Sequence, residues 1–190
     1  DDFCQGVTEY IYNKVYEPLG VAERLAQHPE ERLTASAILY SRARKEVWMV
    51  GDCQAIICGK LFENGKPFEE KIAEKRASMI KGGMTPAEAR KQIEPLLVLS
   101  GQNKTYAVID GFPIYREGVK VVSLMDEHSM IVLASDGYPV LMPTLAESEE
   151  ALAKQIANDP QNINSFIATK GIIEGNKSFD DRTYIRITED

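Results

Sequence analysis

The sequence has few of the side chains that most often bind zinc or form disulfides. Its 190 residues include two histidines, His28 and His128, and three cysteines, Cys4, Cys53 and Cys58. A structural zinc site usually needs four nitrogen or sulfur ligands, so this composition disfavours zinc. An odd number of cysteines in a chain long enough to fold without disulfides favours a reducing compartment, and we expect a cytoplasmic protein.

The sequence also lacks long apolar runs and a surplus of basic residues. No apolar run approaches the about 20 residues that a transmembrane helix requires, so we expect no membrane association. The 22 basic and 29 acidic residues give a net charge of -7 and a pI near 5.0, which disfavours binding to nucleic-acid phosphates. The chain begins with Asp1 and has no initiator methionine, which we interpret as a processed or trimmed start.

Two common enzyme signatures are missing as well. The sequence contains neither a Walker-type glycine loop nor a Gly-x-Ser-x-Gly elbow. An amino-terminal nucleophile hydrolase would need Ser, Thr or Cys as its first residue, whereas this chain starts with Asp1. What remains is an ordinary globular composition, with 44% hydrophobic and 27% charged residues, and we expect one domain over residues 1–190.

Helical periodicity occurs in four regions. Apolar residues at three- and four-residue spacing predict a helix over about residues 3–27, broken near Pro18-Leu19-Gly20. Residues 67–92 are helical by composition, with a break at Gly82-Gly83 and a cap at Thr85. Further helices are predicted at 146–157 and 163–169.

Strand patterns alternate with these helices. The segments 33–40, 46–50 and 53–58 are joined by short turns, and we expect them to form one antiparallel meander. Four more strands are predicted at 106–109, 119–124, 129–134 and 183–188. Groups of strands separated by groups of helices predict an α+β fold, a layered sandwich of sheets and helices.

Three acidic turns lie at the ends of apolar strands. They contain Asp52 after Gly51, Asp136 before Gly137, and the pair Asp180-Asp181. Each turn alone is explained by the turn preferences of Asp and Gly, so only their joint order indicates a site. Carboxylates that meet where strands converge would supply the oxygen ligands that Mg²⁺ and Mn²⁺ prefer.

This joint order resembles a known family. The segments are Met49-Val-Gly-Asp-Cys-Gln-Ala55, Ile131-Val-Leu-Ala-Ser-Asp-Gly137 and Asp180-Asp-Arg-Thr-Tyr-Ile-Arg-Ile187. In this order they resemble the metal-dependent serine/threonine protein phosphatases of type 2C, over roughly residues 33–60 and 105–188. The strand Leu33-Thr-Ala-Ser-Ala-Ile-Leu39 also resembles the strand before the Gly-Asp hairpin of that family.

The resemblance implies a four-layer α-β-β-α sandwich of two antiparallel sheets flanked by helices. It also implies two divalent ions, Mn²⁺ or Mg²⁺, in the cleft between the sheets, and a phosphoprotein as substrate. Asp136 and Asp180 would be metal ligands, Asp181 would occupy a position usually held by Asn or Asp, and Asp52 matches a carboxylate linked to a third, weaker metal position. Hydrolysis of phosphoserine or phosphothreonine would use metal-activated water instead of a side-chain nucleophile.

The sequence departs from the family pattern in three places. It has no Asp-Gly-x-Gly turn, whose aspartate bridges both metals in the family, and no Asp-His element between the second and third motifs. Cys53-Gln54 stands where the family favours Ser-Arg. Two interpretations stay open. Either the first strands and the bridging aspartate lie outside this sequence, or the protein is a catalytically degenerate binding or regulatory module with a phosphatase-like fold.

Other candidate residues favour structural roles. His128 could be a general acid, but its position after Asp126-Glu127 is typical of a polar turn. Cys53 and Cys58 are expected to be buried thiols on opposite faces of one strand. The charged helices at 67–92 mix acids with Lys71, Lys75 and Arg76, so they predict solvated faces and not a basic patch.

Overall fold

The structure is a computed structural model that describes residues 2–98, 102–124 and 130–188. Five α-helices are present in these ranges: α1 (Asp2–Ile11), α2 (Ala22–Gln27), α3 (Glu69–Lys81), α4 (Pro86–Val98) and α5 (Leu145–Asn158). A π-helical turn (Tyr12–Tyr16) and two 3₁₀ turns (Pro29–Glu31 and Arg116–Gly118) complete the helical structure. Within the described ranges, no helix is long and apolar enough to cross a membrane.

In the described part of the chain, seven strands form two antiparallel sheets. They are β1 (Ala37–Ser41), β2 (Glu46–Val50), β3 (Gln54–Ile57), β4 (Lys60–Glu63), β5 (Lys120–Ser123), β6 (Met130–Ala134) and β7 (Tyr184–Thr188). The first sheet has the order β1-β2-β5, and the second has the order β4-β3-β6-β7. The expected α+β fold class, with two antiparallel sheets and helices, is confirmed.

The two sheets pack face to face through one apolar cluster. Val47 and Met49 of β2 contribute from the first sheet, and Ala55 and Ile57 of β3 contribute from the second, with Ile131 and Leu133 of β6 beside them. These residues alternate along their strands, as expected for strands with one face in a core. The interior between the sheets is therefore the main core of the molecule.

Each sheet is also covered on its outer face. Cys4 of α1 packs with Val50 and Ala107, so α1 covers the first sheet. On the second sheet, Val132 packs with Tyr138 and Leu141, in the segment that follows β6. The predicted helix over 3–27 is broken as expected, because Gly20 takes a φ of +67° between the π-helical turn and α2.

The predicted meander of the first three strands is wrong. β1 and β2 pair with each other, but β3 pairs with β4 and β6 in the other sheet. The chain changes sheet at Gly51, which has a φ of +78°. Short connections predict neighbouring strands but do not determine which sheet each strand joins.

The remaining elements follow the expectations in part. The two helices predicted within residues 67–92 are confirmed as α3 and α4. Thr85 caps α4 by accepting a 3.3 Å hydrogen bond from the Glu88 backbone N–H. The segment 106–109 forms only isolated bridges, and 163–169 forms a loop instead of a helix. In the helical region predicted at 67–92, the charged residues were expected to be solvated. This expectation fails at Arg76 of α3, which is 2% exposed.

Candidate functional site: an acidic cleft at one end of the sheets

The three acidic turns predicted from the sequence meet at one cleft of about 600 Å³. Asp52, Asp136 and Asp180 all line it, although they lie on different connections of the chain. Asp52 follows β2, Asp136 follows β6, and Asp180 precedes β7. β3, β6 and β7 are neighbouring antiparallel strands in one sheet. The start of β3, the end of β6 and the start of β7 therefore lie at the same end of that sheet, which brings these side chains together.

Gly51 determines how Asp52 enters the cleft. A Cβ atom at Gly51 would collide with the Ser36 side chain, so the close approach of these two segments requires glycine. In the resulting geometry the Ser36 hydroxyl donates a 2.7 Å hydrogen bond to Asp52 Oδ1. The close packing of Gly51 against Ser36 therefore explains why glycine precedes Asp52, which the sequence pattern alone did not reveal.

Gly137 has a similar role between the other two turns. A Cβ atom at Gly137 would collide with the backbone carbonyl oxygen of Asp181. The Ser135 backbone N–H donates a 3.2 Å hydrogen bond to the Thr183 carbonyl oxygen, and the Thr183 N–H donates a 3.0 Å bond to Ser135 Oγ. These contacts hold the turn after β6 against the chain that leads into β7, which places Asp136 and Asp180 in the same cleft.

Asp181 differs from its neighbour Asp180. Its backbone N–H donates a 3.1 Å hydrogen bond to Asp180 Oδ1, while its residue is exposed and lines an adjacent pocket instead of the cleft. His128, considered above as a general acid, lies outside the described residues, as do Asp126-Glu127.

Two lysines bind the cleft carboxylates. Lys66, in the connection between β4 and α3, forms an ion pair with Asp52 Oδ2. Lys170 forms an ion pair with Asp180 Oδ2. Among the described residues, Asp136 makes no ion pair within salt-bridge distance, and its residue remains exposed in the cleft. Neither lysine is indicated by the sequence, because each is ten or more residues from its carboxylate and belongs to no motif.

The pKa values in the cleft differ between the carboxylate that Lys66 binds and the carboxylate that no described lysine binds. The protein raises the pKa of Asp136, first because the cleft walls withdraw water from its carboxyl group and second because Asp52 is a nearby negative charge. Burial also acts to raise the pKa of Asp52, but the Lys66 ammonium and the hydrogen bonds outweigh it and lower that pKa. Burial raises the pKa of Glu69 in the same cleft.

Cys53 is adjacent to Asp52 and is unsuited to nucleophilic catalysis. It is 4% exposed, and burial together with the charges of Asp52 and Asp136 raises its pKa to about 12. Its thiol is therefore protonated at neutral pH, whereas the thiolate is the reactive form. The expectation of a buried thiol holds for Cys53 but fails for Cys58, which is exposed because it lies in the turn after β3 with a φ of +50°.

The cleft has an excess of negative charge. Six carboxylates and two ammonium groups line it, a formal charge of -4. The acidic residues are Asp52, Glu63, Glu69, Glu70, Asp136 and Asp180. Such a cleft repels a phosphate group unless additional cations enter it.

The donor chemistry fits a hard divalent cation. All the carboxylate donors are oxygen ligands of the type that Mg²⁺ and Mn²⁺ prefer, and Asp136 has lone pairs that no lysine engages. Within residues 2–98, 102–124 and 130–188, however, no group of three or more His, Cys, Asp or Glu side chains is placed to hold a metal ion by itself. The described residues thus supply donors and charge but do not complete a coordination shell.

Another part of the cleft wall is a loop held by the α3–α4 pair. Arg76 of α3 donates a 2.8 Å hydrogen bond to the Gln161 carbonyl oxygen, and Arg90 of α4 donates a 2.9 Å bond to the Thr169 carbonyl oxygen. Asp159 closes the start of this loop by accepting hydrogen bonds from the backbone N–H groups of residues 163, 164 and 165. These contacts fix the segment that carries Lys170.

The chain is similar to solved structures of serine/threonine phosphatases. No protein-family model matches the sequence, and no relative was found among curated proteins. One similar structure is the catalytic domain of the serine/threonine protein phosphatase PstP in complex with two manganese ions, with 17% identity, a TM-score of 0.31 and coverage of 69% of this chain and 52% of that one. A second similar structure is the Mycobacterium tuberculosis serine/threonine phosphatase PstP/Ppp, with 18% identity and a TM-score of 0.30. The match covers 73% of this chain and 59% of that one.

The chain thus spans little more than half the length of the phosphatase domains that it matches. The fold class follows from the sheets and helices of this chain itself.

Proposed function

We propose that the acidic cleft is the active-site cleft of a metal-dependent serine/threonine phosphoprotein phosphatase. The observation that supports this proposal is the convergence of Asp52, Asp136 and Asp180 on one cleft from three separate connections. In the proposal these carboxylates hold Mn²⁺ or Mg²⁺, and the substrate is a phosphorylated serine or threonine in a protein.

The charge of the cleft favours this function over direct binding of phosphate by the protein alone. A phosphomonoester is anionic at neutral pH, and the cleft has a formal charge of -4. A bound divalent cation supplies charge neutralisation and lowers the pKa of water. The protein's own contribution is to leave Asp136 open to the cleft without a lysine partner among the described residues, and to hold one part of the cleft wall with Arg76 and Arg90.

The test is Mn²⁺-dependent hydrolysis of a phosphoserine peptide by the full-length protein and by Asp136→Asn. We expect the variant to lose about a hundredfold in kcat/KM, since loss of one preorganised group that stabilises a transition state, such as an oxyanion-hole donor, typically costs about 10²–10³-fold. Glu150→Gln, on the exposed face of α5, is the control and should retain full activity. Equal rates in all three proteins, or hydrolysis that persists in EDTA, would contradict the proposal.

A second candidate is a binding or regulatory module with this fold and no catalysis. It is favoured by the ion pairs Lys66–Asp52 and Lys170–Asp180, which neutralise two of the three carboxylates without a metal. Calorimetry with Mn²⁺ separates the two candidates. Binding that requires Asp136 favours the phosphatase, whereas no binding by the full-length protein favours the module.

A further inference from the structure

Two lysines from different segments place ammonium groups where a divalent cation is proposed to bind. Lys66 precedes α3, and Lys170 follows the loop that Arg76 and Arg90 hold. Each ammonium group contacts the carboxylate of a different acidic turn. The two lysines therefore do for the cleft what a bound cation would do, since each neutralises one aspartate.

The enclosure of these ion pairs makes them stronger than ordinary surface pairs. The Asp52 side chain is 12% exposed and the Lys66 side chain is 32% exposed. For Lys170 and Asp180 the exposed fractions are 39% and 35%. By comparison, the pair Lys154–Glu150 on α5 has exposed fractions of 69% and 66%. Water screens the cleft pairs less than this surface pair, so their charges interact more strongly.

Both lysines also act on the third aspartate. The positive charges of Lys170 and Lys66 each lower the pKa of Asp136, against the opposing effects of burial and of Asp52. Removal of either ammonium group therefore leaves the surroundings more negative both at its own ion-pair partner and at Asp136. The lysines and a divalent cation are thus alternative ways to neutralise the same group of side chains.

We infer that Lys66 and Lys170 are internal counter-ions that compete with a divalent cation for Asp52 and Asp180. The inference rests on the proposed function, because it concerns the ion proposed to bind in this cleft. A cation that enters must take the carboxylate oxygens from the ammonium groups, so part of its binding free energy is used to displace them. In the absence of the cation, the same ammonium groups keep the acidic turns together.

The experiment measures Mn²⁺ binding by calorimetry to the full-length protein and to Lys66→Met and Lys170→Met. Methionine keeps a long unbranched apolar stem and removes the charge. A nearby unit charge shifts carboxylate pKa values by about 1–3 units, so each variant should bind Mn²⁺ about tenfold more tightly. Each variant should also have a lower Tm in EDTA and a larger rise of Tm on addition of Mn²⁺.

The control is Lys154→Met, which removes the exposed ion pair with Glu150 and should leave Mn²⁺ affinity unchanged. If Lys170→Met does not fold, Lys170→Gln provides the same neutralisation with a polar end. Unchanged or weaker Mn²⁺ binding in the cleft variants, with normal binding by the parent protein, would overturn the inference and leave the proposed function intact. If neither the parent nor any variant bound Mn²⁺, the proposed function would fail and the inference with it.

Discussion

At the scale of single residues, Asp136 is the side chain on which the proposed function depends most. The sequence indicated it, because a carboxylate beside glycine after an apolar strand is a strong local pattern. The sequence could not indicate Lys66, Lys170 or Ser36, because their relation to the aspartates arises only when separate connections meet. Local patterns predict which side chains end a strand, but not which side chains face them.

The raised pKa of Asp136 gives a prediction for stability. Its pKa in the folded protein lies above the ordinary value of 3.8, so ionisation of Asp136 destabilises the folded state at neutral pH. Asp136→Asn should therefore raise the free energy of unfolding in EDTA at pH 7, by on the order of 0.5 kcal/mol, since water screens this exposed side chain. The gain should shrink as the pH falls through the raised pKa and disappear below about pH 4, where aspartate is protonated in both states.

Urea unfolding at several pH values measures this effect. Glu150→Gln is the control, because the hydrogen bond with Lys154 lowers the pKa of Glu150, and this variant should gain no stability at pH 7. A loss of stability in Asp136→Asn at pH 7 in EDTA would contradict the assigned environment of this side chain.

At the scale of secondary-structure elements, the sequence predicted where helices and strands lie better than it predicted which strands pair with each other. Periodicity and the Thr85 cap located α3 and α4, and alternation located most of the strands. β4 was missed, because its four residues follow β3 after one tight turn and carry no distinct pattern. The sheet to which β3 belongs was predicted wrongly, because pairing depends on the corner at Gly51 and on long-range packing.

Gly137 connects two elements at the site, and its substitution tests that connection. Gly137→Ala should destabilise the fold by about 1–3 kcal/mol, because the new Cβ atom would meet backbone atoms of Asp181 that cannot easily move. Denaturant unfolding measures the loss. Gly6→Ala in α1 is the matched control, since an added Cβ atom there meets nothing within 4 Å and alanine favours a helix. Equal stability of Gly137→Ala and the parent would contradict the close approach of the two turns.

At the scale of the whole molecule, one core joins both sheets. Met49 of the first sheet is 0% exposed and packs with residues of β3 and β6 from the second. Met49→Ala should therefore destabilise the protein by about 2–5 kcal/mol, whereas Val121→Ala, at a residue 49% exposed on β5, should change stability by at most about 0.5 kcal/mol. Thermal or urea unfolding of the two variants measures the difference.

The shared core also predicts a single unfolding transition. Trp48, the one tryptophan in the sequence, lies on β2, so its fluorescence reports on the first sheet alone. Far-UV circular dichroism reports on the helices and both sheets together. The two signals should change at the same urea concentration in the parent and in Met49→Ala. Separate midpoints would show that the sheets unfold independently.

The crossing at Gly51 and Asp52 links the interior of the protein to its cleft. Together with Cys53, these two residues carry the chain from the end of β2 to the start of β3, and these strands contribute Met49 and Ala55 to the interior. Any change of side-chain volume between the sheets that alters their spacing will therefore also move a carboxylate of the cleft. Substitutions far from the acidic turns, at positions with no charge, can consequently change the position of the Asp52 carboxylate and its ion pair with Lys66.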